Sequence, residues 1–466
     1  MNFINELLKL NCERFPERKA YIYDEEFITF KELYEKSLHY GKILQQLGNS
    51  PVVIRCDKSL ESYLEIFSCI VSGRAYVPVD ISVPEERVEK IKVKCVSDLV
   101  LIPESLRDLS EDFYENAVEL VVENQEFDEN KIVYIISTSG STGEPKEVPV
   151  SYKNLFNFCN WINSVQYLSD YKDETVLNNS SFSFDLTVFS IYYSLLKGHT
   201  LRSIDLRFDT LNEFNDLKIS DTSIICATPS FIKFLLLYQS FDSTFCKNLK
   251  FIFFCGENLE PAVVKKIFKR FPDVKIFNAY GPSEATCAVC GSFINQEMCE
   301  QNVLPMGDVD SAAVKIEISE KEIVLKGDSV FRGYLGEKSP DVYFEDGVNC
   351  FRTGDFAFVK QNKLYFEGRC DFMVKYSGYR IDLYDIEFNL KTIEGVKDAV
   401  VTAKHDKNGN VIFLSAFCVS DLSVQKIKSQ LAKKIPDYMI PKKINLLQTI
   451  PVNRNGKIDR QYLETL

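Results

Sequence analysis

One stretch, KIVYIISTSGSTGEPKEV from Lys131 to Val148, constrains the fold more than any other. Its apolar run Ile132 to Ile136 lies between charge and small polar residues, the pattern of a buried strand. The run passes directly into Ser137, Thr138, Ser139, Gly140, Ser141, Thr142 and Gly143, hydroxyl and glycine residues that cannot pack a core. Such a segment is either a solvated linker or a loop that wraps an anion. In the second case the glycines let backbone N–H groups turn inward and the hydroxyls add donors. Lys146 brings a positive charge to the same loop. The spacing G-x-x-x-x-G-K-[ST] is absent, so this is not a Walker loop.

Around this stretch, short apolar strands alternate with amphipathic helices. Phe27 to Tyr40 reads as a strand entering a helix capped by Thr29. A helix over 153–164, a strand Thr175 to Asn178 and a helix Leu186 to Leu196 follow. Further strands are expected at Ser223 to Ala227, Leu249 to Phe254 and Val274 to Phe277, with a helix from Pro261 to Phe271. This alternation predicts an α/β fold of mixed and parallel sheets covered by helices. From about residue 303 short strands and turns dominate, which predicts a small β subdomain. A chain of 466 residues is too long for one core. The expected division is a large domain over 1–368 and a small, mobile α+β domain over 369–466.

Composition removes several classes of function. A net charge of −12 argues against nucleic acid as a partner. No apolar run reaches the length of a membrane span, and the first residues read as an amphipathic helix rather than a signal peptide. The fourteen cysteines are scattered in mostly apolar surroundings, as buried thiols of a reducing cytoplasm would be. Cys287 and Cys290 form one C-x-x-C without a second pair, and the three histidines match no ligand spacing, so metal or redox chemistry there is not expected.

In such folds ligands sit beyond the carboxyl ends of the strands. Two segments fall there: Cys255-Gly256-Glu257, and Asn278-Ala279-Tyr280-Gly281-Pro282-Ser283-Glu284-Ala285-Thr286. In the second, Gly281-Pro282 makes a tight turn, Tyr280 offers a flat face, Ser283 a donor and Glu284 a ligand for Mg²⁺. Asp185, between a strand-like run and a helix, is either a helix cap or a buried anion. Phe351-Arg352-Thr353-Gly354-Asp355 and Glu367-Gly368-Arg369-Cys370-Asp371 follow the β region. Pro451 to Arg460, PVNRNGKIDR, lies near the C-terminus.

These segments, in this order, resemble the motifs of the adenylate-forming (AMP-dependent synthetase/ligase) superfamily, and the resemblance covers essentially the whole chain. It implies that TSGSTGEPK holds the β- and γ-phosphates of ATP through Thr138 to Gly143 and Lys146. It implies that Gly256, Glu257, Asn278, Ala279, Tyr280, Gly281 and Ser283 line the nucleotide site. By the same resemblance Glu284 carries Mg²⁺, Asp355 and Arg369 bind the ribose, Asp371 is the hinge and Lys457 is the catalytic lysine. The loop Gly378-Tyr379-Arg380 serves the second half-reaction. Asp185 matches the aspartate that holds a substrate ammonium in the amino-acid-activating branch. Within that branch the resemblance is to enzymes that load D-alanine onto a phosphopantetheine carrier for teichoic acid esterification, with Cys255 and Cys287 lining the substrate pocket. No phosphopantetheine attachment pattern flanks Gly327-Asp328-Ser329, so the acceptor is expected to be a separate carrier protein or a small thiol. Other outcomes consistent with these residues are a stand-alone peptide-synthetase adenylation domain for another small amino acid, an acyl-CoA synthetase, which Asp185 disfavours, or a non-catalytic ATP-binding relative. The family has glycine after the loop lysine; here Glu147 stands there, a carboxylate expected to approach the triphosphate and weaken its hold.

Overall fold

The computed structural model describes residues 2–109, 128–138, 145–205, 219–369, 373–406, 409–451 and 458–466. Two helix-covered sheets form the body. The larger runs in spatial order Cys290–Ile294, Lys275–Tyr280, Phe251–Phe254, Ile224–Ala227, Thr175–Asn178, Thr200–Ser203, Lys19–Tyr23 and Glu26–Thr29. Its centre is parallel, and the pair at each edge is antiparallel. The second runs Leu99–Leu101, Val52–Cys56, Tyr76–Asp80, Ile132–Thr138 and Lys146–Ser151, parallel except for the last pair. Central strands such as Phe251–Phe254 and Ile224–Ala227 are buried along their whole length, because helices cover both faces.

The local signals act as the sequence implies. Thr29 starts the helix Phe30–Gln46 with a capping box, its hydroxyl taking the Glu32 N–H while Glu32 reaches back to the Thr29 N–H. The helices Tyr152–Ser164, Leu186–Lys197 and Pro261–Arg270 lie where the periodicity puts them. The β region is an antiparallel sheet ordered Gly307–Asp308, Lys363–Arg369, Val348–Lys360, Glu322–Lys326 and Lys315–Ser319, with Val342–Glu345 beside Val348–Lys360.

Beyond it the hairpin Met373–Tyr376/Tyr379–Asp382, the strands Val396–His405, Val411–Ser420 and Lys443–Leu446, and the helices Leu383–Lys391 and Val424–Leu431 enclose a separate core running from Ile381 to Met439. Among the described residues no helix is long and apolar enough to cross a membrane. Among the described residues thirteen cysteines are free, and all but Cys12 are buried. Among the described residues no group of three or more His, Cys, Asp or Glu could hold a metal ion, and Cys287 and Cys290 belong to none.

Candidate active site

The strands Phe251–Phe254 and Lys275–Tyr280 end side by side, and the chain leaving each builds one wall of a small cavity. Gly281 is forced by close approach: a Cβ there would lie 2.5 Å from the Ala288 Cα. After the turn at Ser283–Ala285, Thr286 and Cys287 both adopt left-handed backbone, φ 63° and 67°. Two consecutive non-glycine residues in that region carry strain. The Thr286 hydroxyl donates to the Ser329 carbonyl at 2.9 Å and helps hold the turn. The turn brings Cys287 behind the cavity, its carbonyl 3.9 Å from the Cys255 sulfur.

Asp185, Cys255, Gly256, Gly281, Ser283, Cys287, Asp355 and Arg369 share this cavity of about 40 Å³. Asp185 occupies the first position before the helix Leu186–Lys197, yet its side chain makes no cap hydrogen bond. It accepts instead from the Ser283 hydroxyl. Burial pushes its carboxyl up to about 6, helped by the Glu284 charge and opposed by the Ser283 hydrogen bond and by Arg380. Burial likewise raises the Cys255 thiol to about 12 and pushes Cys287 well up, so both are neutral walls rather than nucleophiles.

Glu284 is buried, and both its oxygens are engaged. Arg380 Nη1 donates to them at 3.0 and 2.8 Å, and the Tyr334 hydroxyl donates at 2.7 Å. Burial works to raise this carboxyl, but Arg380 and Tyr334 hold it below the ordinary range. Lys146 stands 5.1 Å from the centre of the Tyr334 ring, which brings the start of the strand Lys146–Ser151 close to Glu284. Thr138 pairs with Lys146 in register and donates to its carbonyl at 3.3 Å. Thr138 also lines a second recess with Ser137, Ser283, Phe184, Tyr379 and Arg380.

Asp355 accepts from the Tyr280 hydroxyl at 2.6 Å and from Arg369. Lys375 stands 5.9 Å from the centre of the Tyr280 ring. Glu257 accepts the Gly378 N–H at 2.6 Å and the Ser230 N–H at 2.9 Å, so it anchors the Gly378–Arg380 loop. Gly378 has φ +87°, which favours glycine. Asn278 is turned into the core, donating to the Pro305 carbonyl at 2.8 Å, and Ala279 is buried beside it. Ser139, Gly140, Ser141, Thr142, Gly143, Asp371 and Lys457 lie outside the described residues.

Glu147 differs from the expectation. Side chains alternate along a strand, so Lys146 and Glu147 face opposite ways. Glu147 is fully buried beneath the strand, its Oε2 accepting from the Ser137 hydroxyl at 2.5 Å. Burial pushes its carboxyl up to about 7, against that hydrogen bond and the nearby Lys94 and Arg87. It does not project toward a triphosphate.

Sequence reasoning assigned no role to Lys375, Tyr334 or the pair Arg87–Asp385. Arg87 Nη2 lies 3.0 Å and Nη1 3.4 Å from the two Asp385 oxygens, joining the helix Glu85–Lys94 of the body to the helix Leu383–Lys391 of the C-terminal core. No local motif marks such a pair, because its partners are 298 positions apart.

A strand-end cavity under a second, smaller domain, walled by the buried carboxyl group of Asp185 and close to Glu284 and Lys146, is the architecture of a nucleotide-dependent carboxylate-activating fold. The chain belongs to the AMP-binding enzyme family: the family model matches residues 8–335, and the model of its C-terminal domain matches 385–457. It is 36% identical to the D-alanine–D-alanyl carrier protein ligase of Staphylococcus epidermidis, over 96% of each chain. It is 34% identical to the ligase of that name from Staphylococcus aureus, over 99% of each. It is 33% identical to one from Bacillus cereus, over 98% of each. Its fold is similar to the Vibrio cholerae adenylation domain AlmE in complex with glycyl-adenosine-5'-phosphate, with TM-score 0.84 at 20% identity, covering 100% of this chain and 97% of that one. It is also similar to PA1221, a protein containing adenylation and PCP domains, with TM-score 0.82 at 20% identity, covering 99% and 96%.

Proposed function

We propose that this enzyme activates D-alanine with ATP to an aminoacyl-adenylate and transfers the aminoacyl group to the phosphopantetheine thiol of a separate carrier protein. The observation that carries the reading is Asp185: a buried carboxylate that caps no helix and faces a cavity too small for a large side chain. An acyl-CoA synthetase needs no anion there. Relatives at 33–36% identity over nearly the whole chain bear the name of a D-alanine ligase for a carrier protein, which favours that substrate over other small amino acids.

In the first step the substrate carboxylate attacks the α-phosphorus of ATP and pyrophosphate leaves. Asp185 holds the ammonium, Tyr280, Asp355 and Arg369 hold the nucleoside, and Thr138, Lys146 and the rest of the phosphate loop hold the phosphates. Lys457 meets the charge that builds up, an electrostatic role rather than acid–base work. Glu284 is the residue that would hold a Mg²⁺ ion, since Mg²⁺ usually takes only one or two protein carboxylates. Bound Mg²⁺ would offset phosphate charge.

In the arrangement described above, Arg380 fills the place at Glu284, which supports assigning it to the second step. There the Gly378–Arg380 loop reaches the cavity. The small domain, 369–466, would turn about Asp371 between the two steps. The C-terminal part of the sequence is net basic and the remainder strongly acidic, which suits a lid that closes over ATP and meets an acidic carrier. The expected setting is the cytoplasm. Amino-acid-dependent ATP–pyrophosphate exchange across D- and L-amino acids, followed by loading of a phosphopantetheinylated carrier, tests the reading. Exchange with no amino acid, or adenylation without transfer to any carrier, would refute it.

A further inference from the structure

The segment 331–335 belongs to no helix or strand, yet it is fastened at both ends to the walls of the active site. The Phe331 N–H donates to the Glu284 carbonyl at 2.8 Å, and the Leu335 N–H donates to the Glu147 carbonyl at 3.1 Å. The buried Phe331 ring meets the Phe351 ring edge-on, with centres 5.7 Å apart, and anchors the segment in the core. Tyr334 packs edge-on against Phe331 in turn, with ring centres 5.0 Å apart. Backbone bonds on either side and an aromatic neighbour therefore fix where the Tyr334 ring lies.

That ring and its hydroxyl touch two groups of the proposed site. The hydroxyl donates to Glu284 Oε1 at 2.7 Å. The Lys146 ammonium lies 5.1 Å from the ring centre, within the range of a cation–π contact. One side chain thus joins the acid that would hold Mg²⁺ to the lysine that would meet the phosphates. Among the described residues, the side chains that donate to Glu284 are those of Tyr334 and Arg380. Arg380 reaches both oxygens, whereas Tyr334 reaches Oε1 alone. Their attachments differ as well. Arg380 belongs to the hairpin beyond residue 369, which the two-step reading has turning, whereas Tyr334 belongs to the part that stays.

We propose that Tyr334 is a positioning residue for the first step, holding Glu284 and Lys146 in place when Arg380 has left. The inference rests on the two-step reading given above. With Arg380 gone, the Tyr334 hydroxyl keeps Oε1 engaged and leaves Oε2 open. Glu284 is 1% exposed, so losing that donor as well would strip a buried carboxylate of the side chains that now satisfy it. The ring face meanwhile supports the Lys146 ammonium. In the second step Arg380 takes both oxygens, and the hydroxyl becomes dispensable.

The hydroxyl and the ring can be removed separately in the full chain. Tyr334→Phe removes the hydroxyl and keeps the ring beside Lys146; Tyr334→Leu removes both. Calorimetric titration with α,β-methylene-ATP, in MgCl2 and in EDTA, reads binding without turnover. For Tyr334→Phe we expect wild-type affinity in EDTA, with the gain from Mg²⁺ reduced by about 10-fold or more, the usual cost of losing a group that orients a metal-holding side chain. ATP–pyrophosphate exchange should fall by a similar factor with KM for D-alanine unchanged, while single-turnover transfer from preformed aminoacyl-adenylate keeps its wild-type rate. Tyr334→Leu should bind more weakly in EDTA too, because Lys146 loses the ring face. Wild-type Mg²⁺ dependence in Tyr334→Phe would overturn the proposal. So would equal EDTA affinities for the two variants, or equal loss of exchange and transfer, the mark of a merely structural role. Glu284→Gln separates this inference from the reading beneath it. If Glu284→Gln removes the Mg²⁺-dependent gain and Tyr334→Phe does not, the role of Tyr334 fails alone; if neither changes that gain, the assignment of Glu284 fails with it.

Discussion

Replacing Arg87 by methionine should separate the two half-reactions. The Arg87–Asp385 pair is two-pronged, 3.0 and 3.4 Å, and its side chains are 8% and 0% exposed. Burial works to lower the Arg87 pKa, but the Asp385 carboxylate more than offsets it and keeps the cation charged. Removing one member of a buried pair typically costs ~3–5 kcal/mol, because the other charge is left without its partner. Here the lower end applies, since Asp385 still accepts from Asn389 at 2.9 Å. A cost of about 3 kcal/mol corresponds to roughly 100-fold in an equilibrium or a rate. The cost falls only on the arrangement in which the two helices meet. In the proposed turn of the small domain, both groups would return to water. Single-turnover transfer from preformed aminoacyl-adenylate to the carrier should therefore fall by roughly 100-fold, while ATP–pyrophosphate exchange stays near wild type. Methionine keeps the apolar stem of the side chain, so loss of packing is minimised. Equal loss of both activities would refute the reasoning, as would unchanged transfer.

Three further outcomes follow from the site. Cys255 lines the cavity beside Asp185; if it stands where the side chain of an L-amino acid would enter, as the proposed reading has it, D-alanine should be preferred over L-alanine by about 10- to 200-fold, the worth of one methyl group; Cys255→Ala should narrow that ratio by raising L-alanine use, and kcat/KM for both enantiomers on both proteins checks it. Because burial raises Asp185 to about 6, its hold on a substrate ammonium is lost as pH falls through that value. The kcat/KM for amino acid should then rise with pH through about 6 and level off above it, and a profile flat through that region would sink the assignment. Glu147, raised by burial from 4.5 to about 7, binds a proton in the folded state that the unfolded chain has already released. Stability should therefore fall as pH rises between those values, by on the order of 3 kcal/mol, and stay level above; Glu147→Gln should remove that slope in denaturant unfolding measured against pH.

The secondary-structure elements and the order of the motifs are legible in the sequence. Strand runs, caps such as Thr29 and turns such as Gly281-Pro282 are written in neighbouring residues, so they are legible without the fold. So was the convergence of Gly256, Gly281 and Ser283, because strand ends in a parallel sheet must collect on one side; Asp355 lies within an antiparallel strand, and only the family resemblance implied its place there. Tertiary structure decided what each carboxylate does. Asp185 read locally is a helix cap; the structure shows that its side chain makes no cap bond and accepts instead from Ser283, 98 positions away. Glu147 sits next to a loop lysine in sequence, yet strand alternation and its pairing opposite Ser137 turn it into the core. Arg380 on Glu284 and Arg87 on Asp385 have no local signature at all. Ion pairs of that kind depend on which distant surfaces meet and exclude water, and packing alone sets that.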